Sequence, residues 1–330
     1  MSGQLWSVPA SGGYLYSDQL SDVLRIQVQP LTKFRQFCDA KDGAQKGLNS
    51  GDLFTWNVIS NIGTQGHKLS ETSPMPESDF TITQHSLTVE EFGNSVPYTG
   101  LLTSLSKQDV VDIIDQVLKH DARKSFDYEA WNQMNQTPLR AVGTGAQTIT
   151  FREDGVPSAD NNIAMGTYHV KAISDYMKER NIPAYGSGDD YYCISHPTTY
   201  RAFKDELDDI QENTSEGFAL IMYGEIGRYE GIRFIEQNHI PKGGAYNSTE
   251  YDALNGVSTE WNNNASSWAF FFGGDTVTEA IVIPEEIRAK IPGDYGRSHG
   301  IAWYYLGGYS IVHDDATNAR IVKWDALNDA

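Results

Sequence analysis

Gly296-Arg297-Ser298-His299-Gly300 matches G-x-S-x-G, the pattern in which a serine on a tight strand-to-helix turn acts as a nucleophile. That chemistry needs a strand before the serine, a helix after it, and then an acid and a histidine in chain order. Here Pro292-Gly293-Asp294 precedes the serine and the aromatic run 301–306 reads as a strand, so the context is inverted. Only His299 and His313 follow Ser298, and no Asp or Glu lies between Ser298 and His313. The triad cannot be assembled, and an α/β-hydrolase-like enzyme is the weaker reading.

Other constellations fail for similar reasons. Gly143-Thr144-Gly145-Ala146-Gln147-Thr148 holds two glycines of a dinucleotide fingerprint but lacks the third. It also leads into a strand, so no helix N-terminus could meet a phosphate. Gly188-Asp189-Asp190 and His313-Asp314-Asp315 read as solvated turns, and no H-E-x-x-H or EF-hand spacing occurs. Cys193 and His196 suggest a thiol nucleophile, yet a buried strand cysteine followed by a helix-opening His-Pro is the plainer account. The two cysteines, Cys38 and Cys193, read as structural thiols, and Asp205, Glu206, Asp208, Asp209, Glu212 and Glu216 as a solvated helix face. No residue set carries catalysis, and neither a cofactor nor a metal is expected.

Composition narrows the class further. Forty-four acidic residues against 25 Lys and Arg give a net charge of −19, which opposes tight binding to phosphate backbones. Weak contact with packed nucleic acid stays compatible with that balance. No apolar run approaches the ~20 residues of a membrane span. The first 20 residues hold neither an apolar run nor a basic residue, so a cytoplasmic protein without a targeting leader is expected.

The elements that would position any site read as follows. Residues 1–50 show no sustained period and read as an extended arm. Phe54, Trp56 and Val58 mark one face of a strand; Phe80, Ile82, Leu87 and Val89 mark a second, with a change of phase between Ile82 and Leu87 that suggests a bulge or bend. The 19 residues 61–79 between them form either a surface loop or a projecting hairpin that rests on another subunit. Ser106 to Asp109 fits a capping box. From it Val111, Ile114, Leu118, Ala122, Phe126, Ala130 and Met134 follow at steps of three and four, predicting a helix of about 30 residues and ~45 Å. A second helix, 166–180, is expected to bury Tyr168, Ala172, Ile173, Tyr176 and Met177. A strand at 191–194, a helix at 198–209 and a strand at 231–236 follow, and the chain after 267 is β-rich.

This order of parts resembles the major capsid protein of tailed bacteriophages, with the Hong Kong 97-type fold, over nearly the whole chain. Three segments carry a resemblance to its Enquatrovirus-like branch: the tip Leu69-Ser70-Glu71-Thr72-Ser73-Pro74-Met75-Pro76, the stretch Gly224 to Glu236, and Pro292 to Arg297 followed by Ile301-Ala302-Trp303-Tyr304. The resemblance implies an α+β chain with an N-terminal arm (1–50), an extended loop (51–99) and a peripheral domain with a long spine helix (100–165). An axial α/β domain (166–274) and a return to the peripheral domain (275–330) complete it. It further implies hexamers and pentamers closing an icosahedral shell around double-stranded DNA, with a portal protein and a separate scaffolding or decoration protein as partners. No cofactor and no membrane are implied; the expected location is the virion capsid, assembled in the host bacterial cytoplasm. Leu69, Glu71, Pro74, Met75 and Glu77 are the expected subunit-interface residues. An encapsulin-type nanocompartment is the alternative within the fold; an α/β enzyme and a ligand-binding module are the alternatives outside it.

Overall fold

A computed structural model of the chain describes residues 4, 32–42, 53–60, 66, 68–69, 71, 75, 77–155, 163–186, 190–211, 227–240 and 267–326. The longest helix, α2 (Val110–Asn135), spans 26 residues, ~39 Å, and is the expected spine with a shorter reach. Its N-cap is Asp109, whose carboxylate accepts from the Val111 N–H at 2.8 Å. Ser106 caps nothing in α2. It closes a separate short helix, α1 (Gly100–Leu105), and its hydroxyl donates to Gln108 O. The buried stripe begins at Val110, not Val111, and then follows the expected positions from Ile114 to Met134.

Two sheets flank this helix. The four-stranded sheet has the order β1 (Asp39–Asp42), β11 (Val277–Ala289), β12 (Ser298–Ile311), β4 (Glu90–Thr99). β1 runs parallel to β11, and the other pairs are antiparallel. Phe126 of α2 packs edge-on against Trp303 and Tyr305 of β12, with centroids 5.4 and 4.7 Å away. Burial of the apolar stripe against this sheet, more than intrinsic propensity, holds so long a helix in place.

The seven-stranded sheet has the order β6 (Thr148–Arg152), β5 (Arg140–Gly145), β13 (Ile321–Ala326), β10 (Ser267–Phe272), β7 (Tyr191–Ser195), β9 (Ile232–Glu236), β8 (Arg228–Tyr229). Its centre, β10, is buried along its whole length, because the sheet is covered on both faces. Helices α3 (Thr167–Glu179) and α4 (Arg201–Gln211) supply Val170, Ile173, Met177, Phe203 and Leu207 to the core beside Ala269 and Phe271, and Tyr200, in the turn just before α4, joins them. Trp268, Phe270 and Phe272 enter the other core, with Ala130, Trp131 and Met134 of α2 and with Phe34 and Phe37. In α3 the expected core residue Tyr168 is exposed, and His169 is buried in its place. The His169 ring accepts from Gly166 N–H through Nδ1 at 3.0 Å and donates to Gly145 O through Nε2 at 2.9 Å.

Each sheet draws its strands from several stretches of the chain. β5, β6 and β13, within 100–165 and 275–330, belong to the seven-stranded sheet, and β4, within 51–99, belongs to the four-stranded one. The remaining pair, β2 (Leu53–Ile59) and β3 (Ile82–Thr88), forms a two-stranded sheet by itself. Its register runs unbroken from Leu53↔Thr88 to Ile59↔Ile82, so the expected bulge is absent. The phase change instead puts Leu87 on the core-facing side and Ile82 on the open side.

Candidate functional site

The residues expected to do chemistry are held apart. Ser298 opens β12 and its hydroxyl accepts from Lys290 Nζ at 3.3 Å, whereas His299 stacks on Tyr98 with centroids 5.4 Å apart. His313 lies just past the opposite end of the 14-residue β12. The strained backbone of the turn sits at Asp294, Tyr295 and Gly296 (φ 50°, 55° and 85°), not at the serine. Gly143 serves packing rather than phosphate binding: a Cβ there would stand 2.5 Å from the Trp324 ring. Asp190 is buried and paired with Arg228 at 2.5 Å and Arg233 at 2.7 Å; Gly188 and Asp189 lie outside the described residues.

Burial pushes the Cys193 thiol up, and the Tyr200 hydroxyl lies 3.3 Å from its sulfur, so this thiol is packed and not primed. The His196 Nδ1 faces Thr198 Oγ1 at 2.8 Å. Burial likewise raises the Cys38 thiol. Glu206 is exposed, as expected of a solvated face, and also accepts from the backbone N–H and hydroxyl of Thr167 at 2.5 and 2.7 Å, tying α4 to the start of α3. Among the described residues no group of three or more His, Cys, Asp or Glu could hold a metal ion, and no helix is long and apolar enough to cross a membrane.

What the structure does present is a surface. The β2–β3 hairpin is fixed at its base by three contacts. The Trp56 indole donates to Val312 O at 3.4 Å, His85 Nδ1 stands 3.3 Å from Asp314 Oδ1, and Leu87 is buried against Gly308. Along the ribbon Leu53 at its base end, Ile59 and Ile82 at its far end, and Phe80 just before β3 are all exposed, and among the described residues no layer covers them. At the tip Leu69 is 53% exposed and Met75 71% exposed, and Glu71 and Glu77 are exposed beside them. Pro74 lies outside the described residues. An isolated two-stranded ribbon with this much apolar surface is marginal in water, and it gains stability from resting on another surface.

A knot of polar side chains that sequence reasoning missed ties the arm to the fold. The buried carboxylate of Glu279 on β11 accepts from Arg35 Nη2 at 2.8 Å, from Tyr305 at 2.9 Å and from Tyr309 at 2.8 Å. Glu285 holds the same guanidinium at 3.1 Å, and that guanidinium lies 4.4 Å over the Phe126 ring. These partners are up to 250 residues apart in the chain, and no local pattern signals them.

No family model and no curated protein matches the sequence. Solved structures do match in fold. The chain is similar to one in the capsid structure of the cyanophage P-SCSP1u, with a TM-score of 0.67 and 13% identity over 96% of this chain and 94% of that one. A chain in the head structure of the Helicobacter pylori bacteriophage KHP40 gives 0.67 and 11% over 94% and 96%. One from Mycobacterium phage Che8 gives 0.64 and 13% over 93% and 96%. The chain therefore has the mixed helix-and-sheet, Hong Kong 97-type fold of phage capsid chains, over nearly its full length.

Proposed function

We propose that this chain is the major capsid protein of a tailed bacteriophage, a structural, non-enzymatic building block that closes with copies of itself into an icosahedral shell. The observation that carries the reading is likeness to phage capsid chains across 93–96% of this chain. A shell built from one chain needs contacts that close on a point group, and a hairpin reaching onto a neighbour adds buried area without enlarging the core. The net charge of −19 suits a wall that touches packaged double-stranded DNA weakly and releases it freely.

The finer reading follows the same lines. Copies associate as hexamers and pentamers; a portal protein and a separate scaffolding or decoration protein are the further partners; assembly takes place in the host bacterial cytoplasm. The sequence segments at 69–76, 224–236, 292–297 and 301–304 favour the Enquatrovirus-like branch. An arm (1–50), extended loop (51–99), peripheral domain (100–165, with 275–330) and axial domain (166–274) describe the working parts. Leu69, Glu71, Pro74, Met75 and Glu77 form the contact that the hairpin tip makes with the adjacent subunit, apolar at its centre and wet at its rim.

Replacing residues 61–79 by a two-residue Asn-Gly turn tests this, because that turn suits a short hairpin and leaves the base contacts intact. The shortened protein should keep the melting temperature of the unassembled subunit and form no shells. Normal, equally stable shells from the shortened protein would refute the role of the tip.

A further inference from the structure

Residues 32–42 form a strap that crosses α2 before joining β11 as β1. Phe34 is fully buried between Trp268 and Phe270, with centroids 6.0 and 6.1 Å away, and Phe37 lies among Tyr185, Tyr192 and Phe272. Beneath the strap is Asp127 of α2, 1% exposed. Its Oδ1 accepts from the backbone N–H of Phe34 at 2.6 Å and of Arg35 at 3.2 Å, while its Oδ2 has no hydrogen-bond partner.

A carboxylate so placed is poorly compensated. Both of these donors serve one oxygen, and the other is dry. The charges around it do little to help. Lys33 on the strap favours the anion through its backbone N–H and through space, but the Arg35 guanidinium is turned away onto Glu279 and Glu285 of β11. Cys38 on the strap carries a thiol that burial keeps protonated. β10 offers only the rings of Trp268 and Phe270. His239, after β9, faces the Lys124 carbonyl one turn earlier on α2, with Nε2 3.0 Å away.

We propose that Asp127 is a proton-operated latch: protonation of its unpartnered Oδ2 fastens the strap to α2, and ionisation loosens it. In the neutral acid Oδ1 remains an acceptor for both backbone N–H groups, so the observed hydrogen bonds survive protonation and the buried charge disappears. Burial pushes the docked carboxyl up to about 6, against the opposing pull of the strap N–H groups and Lys33. When the strap lifts, the carboxyl meets water and returns to the ordinary range near ~3.9. The docked state binds the proton more tightly, so docking strengthens as pH falls from above 6 towards 4. Between pH 8 and pH 5 the docking equilibrium gains about tenfold. This concerns the single subunit, and it stands or falls separately from shell formation.

Hydrogen exchange of residues 32–42 in the intact, unassembled chain tests the latch, read as protection factors so that the intrinsic pH dependence of exchange cancels. Protection of the Phe34 and Arg35 amides should be about tenfold higher at pH 5 than at pH 8. Asp127→Asn, which keeps an acceptor oxygen and removes the charge, should be as protected at pH 8 as the unaltered chain is at pH 5. His239→Gln should retain the pH dependence, since burial lowers that imidazole and gives it the opposite sign. Equal protection at the two pH values in the unaltered chain overturns the proposal, as does a pH dependence that survives in Asp127→Asn or vanishes in His239→Gln. Should Asp127→Asn fail to fold, the profile of the unaltered chain decides alone.

Discussion

Leu118 and Val117 are neighbours on α2 with opposite fates: Leu118 is 1% exposed in the core shared with β12, and Val117 is 53% exposed. Truncating Leu118 to Ala removes buried methyl and methylene groups and leaves a cavity, which costs about 3–4 kcal/mol at a site that cannot collapse. With an unfolding entropy of roughly 2.1 cal/mol/K per residue, 330 residues give about 0.7 kcal/mol/K, so the melting temperature should fall by about 5 °C. Val117→Ala removes surface atoms that already face water and should stay within about 1 °C. Leu118→Asp buries an unpaired charge in the same place, a cost comparable with the whole stability of a domain, so the soluble folded protein should not accumulate. The assay is a circular-dichroism melt of the unassembled subunits side by side. Equal shifts for the two alanine variants, or a normally melting Leu118→Asp protein, would refute the placement of the apolar stripe against β12.

A Cβ on Gly308 would stand 2.6 Å from Thr88 O and 2.7 Å from Leu87 Cδ2, so Gly308→Ala should pry the hairpin base from β12; faster hydrogen exchange in β2 and β3 with unchanged exchange in α3 is the expected readout. Arg140 and Asp325 form a buried pair at 2.7 Å, and Arg140→Ala strands the carboxylate; a loss of about 3–5 kcal/mol by denaturant titration is expected, and a neutral result would contradict it. Ser298→Ala should leave particle yield and melting temperature unchanged, whereas stoichiometric labelling of Ser298 by a serine-reactive probe would contradict its structural role.

The parts legible in the sequence were those whose signal is local and periodic. Steps of three and four from Ile114 to Met134 marked the buried face of α2, and the β-rich pattern after 267 is realised in β10, β11, β12 and β13. The start of α2 misled because Ser106 and Asp109 are both good N-caps, and α1 was missed because six residues cannot display a period. β4 was hidden by Gly93 and Pro97. Gly93 is required where a Cβ would meet Trp303 O at 2.8 Å, and Pro97 is tolerated because β4 is an edge strand. The Arg35–Glu279–Tyr305–Tyr309 knot and the Asp127 contact to the strap were illegible for another reason: their partners are 26 to 244 residues apart, and only the folded chain brings them together. The hairpin tip was readable as a loop too long for a compact domain, and its exposed Leu69 and Met75 give that reading physical content.

The most direct test of the central claim is the size and shape of the purified chain, read by a sizing column and negative-stain electron microscopy of the same fraction. The smallest closed icosahedral shell, about 60 copies at 36.7 kDa, has a mass of about 2.2 MDa. Uniform hollow particles at or above that mass are the predicted result. A species that stays at 36.7 kDa across concentrations, with no particles on the grid, would contradict the account.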